Sequence, residues 1–229
     1  FDKGAGVSMP NLASCKGKCV NSANPGIEDA AFAQSLDLPN VANHISKVTT
    51  AMLAATSELK TTFFLNKALA ADLQPLVTTK IINNAAKNKL VKGSVITLTA
   101  AQYNDLMLAT NGNLPTGLVY NVDCRDKGNG PATSISIGAG KNRKNATLTS
   151  TTIETIKQVV LITDCGFDVG RYARIDASLA ISTRVQSSSV ISAEEGTVVG
   201  DPQKNCDFDR KVYIMTMSGF SVPADFTAS

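Results

Sequence analysis

A hydrophobic run that closes on Asp-Cys occurs twice in the chain, as Leu118-Val-Tyr-Asn-Val-Asp-Cys124 and Val159-Val-Leu-Ile-Thr-Asp-Cys165. The two cysteines stand 41 residues apart, and Cys206 follows Cys165 by the same 41. Self-similarity at a fixed spacing of this size marks stacked or repeated architectures, in which each unit buries its apolar face against the next. The pattern therefore points toward a scaffold rather than a compact enzyme.

The strand signals agree with it. Beyond about residue 117 the apolar period is two, and short runs are separated by Gly, Asp, Asn and Ser turns. These runs are Ser134–Ile137, Val159–Thr163, Ile175–Ile181, Ser189–Ile191, Thr197–Val199, Val212–Thr216 and Phe220–Val222. Centres near Ile162, Leu179, Val198 and Ile214 fall 16 to 19 residues apart. That spacing suits one coil of a β-solenoid and puts about two coils into each cysteine interval; a β-sandwich is the alternative. The abundance of Ala, Ser, Thr, Val and Asn suits thin, tightly layered β-structure.

The N-terminal part reads differently. Residues 1–40 are rich in Gly, Pro, Asn and Ser and form an irregular arm, with one short helix expected at Asp29–Leu36. From Val41 onward, Val41, Ile45, Val48, Met52, Ala55 and Leu59 recur at steps of three and four, an amphipathic helix with Asn40 placed to cap it. A second helical stretch is expected over Asn66–Leu73, ending at Pro75. Residues 76–98 mix short strand-like runs with a polar segment. Thr99-Ala-Ala-Gln102 is a capping box that opens a helix running to about Ala109 and stopping at Asn111-Gly112. The expected fold is thus α+β and mainly β: an arm over 1–40, a helical portion over 41–116 and a β-rich, solenoid-like portion over 117–229.

Composition excludes several classes of function. With 43% hydrophobic and 18% charged residues, 229 residues suffice for a sizeable core. The net charge of +3 is small and diffuse, apart from Lys141-Asn-Arg143-Lys144, so nucleic acid is not an expected partner. No Trp and 5% aromatics leave few stacking platforms. No apolar run reaches the length of a membrane span, and the start at Phe1 reads as a processed piece of a longer protein, with any membrane attachment through a segment absent from this chain.

Five cysteines make an odd number, and none sits in a metal-spaced CxxC. Cys15-Lys-Gly-Lys-Cys19 can close a small disulfide ring, whereas zinc wants a second Cys/His pair, and the only histidine is His44. Disulfides in an oxidising compartment are the favoured use, with Cys15, Cys19, Cys165 and Cys206 as candidates. A Cys165–Cys206 link would fit stacked coils, and one cysteine then stays free or pairs outside the chain.

No residue carries a catalytic assignment, and no cofactor or metal is expected. His44 lies in the amphipathic helix without an identifiable nucleophile or orienting carboxylate. Ser57-Glu-Leu-Lys60 matches SxxK, but its companion elements are absent. Gly138-Ala-Gly-Lys141 lacks the spacing and the following Ser/Thr of a phosphate loop. Asp123, Asp164, Asp168, Asp201, Asp207 and Asp209 cluster at strand ends, where Asp usually bonds the backbone rather than calcium. Asn145-Ala-Thr147 is a glycosylation sequon in a eukaryotic context. A carbohydrate-active β-helix would need a row of Asp, Arg or Lys along one face, for which Asp164, Asp168, Arg171 and Arg174 are the nearest residues. A phage or viral fibre or capsid protein would share the Ser/Thr/Asn-rich strands.

The progression Val160-Leu-Ile-Thr-Asp-Cys165-Gly-Phe, Ile175-Asp-Ala-Ser-Leu-Ala-Ile-Ser-Thr183, Ser188-Ser-Val-Ile, Val199-Gly-Asp201, Asn205-Cys206 and Met215-Thr-Met-Ser-Gly219 resembles the extracytoplasmic part of alphaproteobacterial TadG-like proteins, the Tad-domain family of Flp-pilus assembly. Phe1-Asp-Lys-Gly, Val7-Ser-Met-Pro10 and Asn24-Pro-Gly-Ile-Glu28 resemble the start of the same region, while roughly 60–150 matches loosely. The resemblance implies a non-enzymatic protein projecting outside the cytoplasmic membrane, with other protein subunits as partners and no catalytic residues to carry over.

Overall fold

The computed structural model describes residues 38–65, 90–110, 112–125, 134–138, 154–185, 191–200, 212–221 and 227–228. The expected helices at Asp29–Leu36 and Asn66–Leu73 lie outside these residues. Among the described residues, no helix is long and apolar enough to cross a membrane.

The chain is α+β with strands predominating. Two helices come first, α1 (Leu38–Leu53) and α2 (Glu58–Leu65), followed by β1 (Val95–Thr99) and α3 (Ala100–Ala109). Twelve more strands follow. They are β2 (Val119–Asp123), β3 (Ser134–Ile137), β4 (Glu154–Lys157), β5 (Val160–Thr163), β6 (Gly166–Val169), β7 (Ala173–Asp176), β8 (Leu179–Ser182), β9 (Ile191–Ala193), β10 (Val198–Val199), β11 (Tyr213–Thr216), β12 (Phe220–Ser221) and β13 (Thr227–Ala228).

These strands build three sheets, ordered β1-β2-β5-β8-β11, β12-β9-β6-β3 and β13-β10-β7-β4. From β2 onward each strand pairs with the strand three places later in the chain, so the chain visits the three sheets in rotation. Every ladder among the described residues is parallel. A sandwich of antiparallel strands has no counterpart here. In the five-stranded sheet, Val95 faces Val119, then Val160, Leu179 and Tyr213. The successive offsets, 119 − 95, 160 − 119, 179 − 160 and 213 − 179, are 24, 41, 19 and 34 residues. One 41-residue interval is therefore a single circuit of the three sheets, not two. The compact circuit is the 19-residue one.

The five-stranded sheet is buried on both faces. Its inner face contributes Tyr120, Leu161 and Ala180 to a core shared with Ile135, Phe167 and Ile175 of the other two sheets. Its outer face, with Val119, Val160, Ile162, Leu179 and Ile181, is covered by Ile45, Val48 and Met52 of α1 and Phe64 of α2. Hence β5 and β8 are buried at every position, the continuous apolar run of a doubly covered parallel strand. Each fully buried side chain of this size contributes roughly 1.5–3 kcal/mol. The expected 3–4 periodicity of α1 is thus met through Met52, where the face ends. The helix begins at Leu38, so Asn40 lies inside it rather than capping it, and Ser57 restarts the chain as α2.

α3 opens on the expected capping box, with Thr99 Oγ1 accepting from Gln102 N at 3.2 Å and Gln102 Oε1 accepting from Thr99 N at 3.0 Å. It packs against β1, β2 and β3 and sends Tyr103, Leu106 and Met107 into the main core. β1 falls inside the span read as helical but is the first strand of the five-stranded sheet.

The corner entering each strand of that sheet is a column of left-handed residues: Gly93 (φ 79), Gly117 (φ 82), Gln158 (φ 55) and Ala177 (φ 49). Gly93 N bonds Gly117 O at 2.7 Å and Gly117 N bonds Gln158 O at 2.8 Å, so the corners stack like the strands. A non-Gly residue there costs about 1–2 kcal/mol, sustained only because the stack fixes the corner. This corner breaks the expected strand Ile175–Ile181 into β7 and β8.

Candidate functional site

The most distinctive chemistry lies at the corner leaving the five-stranded sheet. Because Val122 faces Thr163, the next positions in the column place Cys124 beside Cys165. The two form a disulfide, with Cα atoms 5.8 Å apart, and both residues are buried. It joins neighbouring parallel circuits. Cys165, one of the expected disulfide residues, is thus paired with Cys124 and not with Cys206. The correction has a geometric cause: the first 41-residue interval equals the register offset of β2 and β5, whereas Cys206 falls in the segment between β10 and β11 and shares no column with Cys165. Cys15, Cys19 and Cys206 lie outside the described residues.

Side chains around the disulfide satisfy the turn. Asp164 Oδ1 accepts from Cys124 N at 2.8 Å, and Arg125 Nε reaches Asp164 Oδ2 at 2.9 Å and Asp123 Oδ1 at 3.1 Å. The backbone N–H of Arg125 also bonds Asp123 at 2.9 Å; that bond, followed by the guanidinium, holds the Asp123 carboxyl below the usual range. Thr163 Oγ1 accepts from Cys165 N at 3.0 Å and lies 3.4 Å from Cys124 Sγ. The same device recurs circuit by circuit, with Ser182 accepting from Arg184 N at 3.4 Å and Thr216 from Ser218 N at 3.1 Å. Each corner carries its own hydroxyl cap.

Cys124, Asp164 and Cys165 place their ligand-type atoms within 4.8 Å of one another. A metal ligand must be a thiolate, and sulfurs joined in a disulfide offer none. With Asp164 also engaged by Arg125, the cluster works as a covalent staple.

The remaining sequence candidates scatter. Asp168 accepts from Ser134 Oγ and, at 2.7 Å, from Ser192 Oγ, bridging three adjacent strands of its sheet. Arg171 sits at the following corner, paired with Glu195, and Arg174 belongs to β7 in the third sheet. Asp164, Asp168, Arg171 and Arg174 therefore occupy successive corners and sheets and do not form a row along one face. His44 is exposed on α1. Ser57 Oγ donates to Ala51 O at 2.7 Å and accepts from Lys60 N at 3.1 Å, while buried Lys60 donates through Nζ to Ala54 O at 2.7 Å. Burial lowers the Lys60 pKa. Serine and lysine join α1 to α2 and do not meet as nucleophile and base. Asp201, Asp207, Asp209, Lys141 and Asn145 lie outside the described residues.

The interior between the sheets offers no ligand chamber among the described residues. A void of about 20 Å³, lined by residues including Phe167, Ile175, Ala180, Ile191 and Ile214, has room for about one water and no polar lining to hold it. The one disulfide partner missed in the sequence, Cys124, had a signal: its Asp-Cys phrase repeats at 41 residues, the register offset itself.

No curated protein and no solved structure matches this chain. One family model does match, over residues 1–228, and the chain belongs to that family, described as a domain of unknown function (DUF7867).

Proposed function

We propose that the chain is a non-catalytic, extracytoplasmic structural protein, built as a parallel β-solenoid and serving in assembly with other protein subunits. The observation that carries this reading is the Cys124–Cys165 staple between adjacent parallel circuits. Structural disulfides form and persist where the environment is oxidising, and reducing compartments keep such thiols open. The rotation of strands through three parallel sheets supports the solenoid reading, since each circuit contacts chiefly its neighbours. The resemblance to Tad-domain proteins makes pilus assembly the more specific form of the proposal.

The test is peptide mapping under non-reducing conditions, with thiols blocked before lysis of the native source. A linked peptide pair containing Cys124 and Cys165 is expected. Both cysteines recovered alkylated would sink the extracytoplasmic assignment. Deleting the gene and counting surface fibres by electron microscopy tests the assembly role; unchanged fibres would remove it.

A further inference from the structure

The two ends of the stack differ from its middle, and they differ in ways that fit each other. Among the described residues, β1 and β11 are the outermost strands of the five-stranded sheet, and each has a single neighbour. A parallel edge carries a row of unpaired N–H and C=O groups that can template another strand. The middle strands β5 and β8 are buried at every position, whereas Tyr213 on β11 is 44% exposed and Ile214, Met215 and Thr216 are half-buried. Near the opposite edge, Val91 and Leu108 are large apolar side chains left exposed, at 63% and 45%.

The alternation of the two edge strands matches. In β11, Ile214 faces the core and Tyr213 and Met215 face outward; in β1, Ile96 and Leu98 face the core and Val95 and Thr97 face outward. A β1 strand laid on β11 in the register that runs through the sheet would set Val95 against Tyr213, Ile96 against Ile214 and Thr97 against Met215. Core would meet core, and outer face would meet outer face. Both strands run the same way along the sheet, so the operation that joins them is a displacement along the stack. That makes a head-to-tail contact, which propagates rather than closing on itself.

We propose that β11 of one molecule accepts β1 of a second copy of this chain, so that the protein assembles head to tail by continuing its five-stranded sheet. This deepens the assembly role proposed above and rests on it for its biological setting, but its test concerns only the purified oxidised protein.

The experiment is light scattering over a wide range of concentration, with negative-stain microscopy of the concentrated sample. Wild-type protein is expected to grow beyond a dimer into linear chains. Thr97→Lys and Tyr213→Lys each place a charge at an exposed position on one edge, leaving the other edge intact, and each variant alone is expected to stay monomeric. An equal mixture of the two is expected to form a heterodimer and nothing larger, because each supplies one working edge. Circular dichroism identical to wild type guards against misfolding. Wild-type protein that stays monomeric throughout overturns the proposal, as does assembly that neither lysine variant blocks. Neither result touches the disulfide map on which the extracytoplasmic reading depends.

Discussion

Two neighbouring circuits of the stack solve the same closure problem with different means. The circuit from β5 to β8 returns to the sheet after 19 residues, the one from β2 to β5 after 41. Bringing chain ends together costs entropy that grows with the logarithm of the loop, so the longer circuit is harder to close. The short circuit relies on packing, with Phe167, Ile175 and Leu179 buried in its path. The long circuit has the disulfide, located on the register offset that the insertion lengthened. The comparison teaches that covalent reinforcement is placed where non-covalent closure is weakest.

The largest expected effect comes from breaking the short circuit's packing. Phe167→Ala removes a side chain that is 1% exposed and should cost about 3–5 kcal/mol. Urea unfolding under oxidising conditions reads it, and a loss below about 1 kcal/mol would show that packing does not hold this circuit.

Opening the long circuit comes next. For a 41-residue separation the chain-entropy treatment gives about 4 kcal/mol, and measured disulfides typically give about 2–4. Replacing Cys124 and Cys165 together by serine should lower stability by that amount. Adding reductant should then change the wild type but leave the double variant unaffected; equal responses would mean the staple is not formed.

A third effect sharpens the contrast at the start of the long circuit. Tyr103 and Tyr120 are wholly buried, and desolvation pushes both phenols well above their usual value near 10. The stability from keeping them neutral is fully present below pH of about 10, where free phenols are also neutral. It is lost as pH climbs beyond that, because only the unfolded chain can then release its protons. Tyr120 donates to Pro115 O at 2.8 Å, whereas the buried Tyr103 hydroxyl has no partner. Tyr103→Phe should therefore stabilise the fold by roughly 1 kcal/mol at neutral pH and soften the alkaline loss. A pH series of melting curves separates the two variants, and a steeper alkaline loss in Tyr103→Phe would contradict this account.

The smallest effect lies on the staple's rim. Arg125 is 80% exposed, so Arg125→Ala should change stability by less than about 1 kcal/mol despite two carboxylate partners. Thermal melts in low and high salt would show it, and a larger loss would mean that the guanidinium holds the corner shut.

Local signals were the legible part of the sequence. The Thr99–Gln102 box needs only four residues, and the α1 face needs only its own spacing. Strand β3 could be read whole from Ser134-Ile-Ser-Ile137. What escaped depended on the stack. Ala177 carries no turn signature, and a left-handed alanine is favoured only when neighbouring circuits impose the same corner. β4 and β6 are four residues each, too short to register without their partners. Equal cysteine intervals looked alike in sequence, but only the first coincided with a register. Pairing depends on the number of residues inserted in each circuit, and local pattern does not encode that number.

The position of the disulfide also sets how the molecule bears tension. Force applied at the two termini passes directly from Cys124 to Cys165 through the sulfur bridge, bypassing β3 and β4. The forty or so residues between them could not be drawn out while the bridge is intact, shortening the fully extended chain by roughly 140 Å relative to the reduced protein. A strained molecule would thus yield at its outer circuits first, keeping the longest one in reserve.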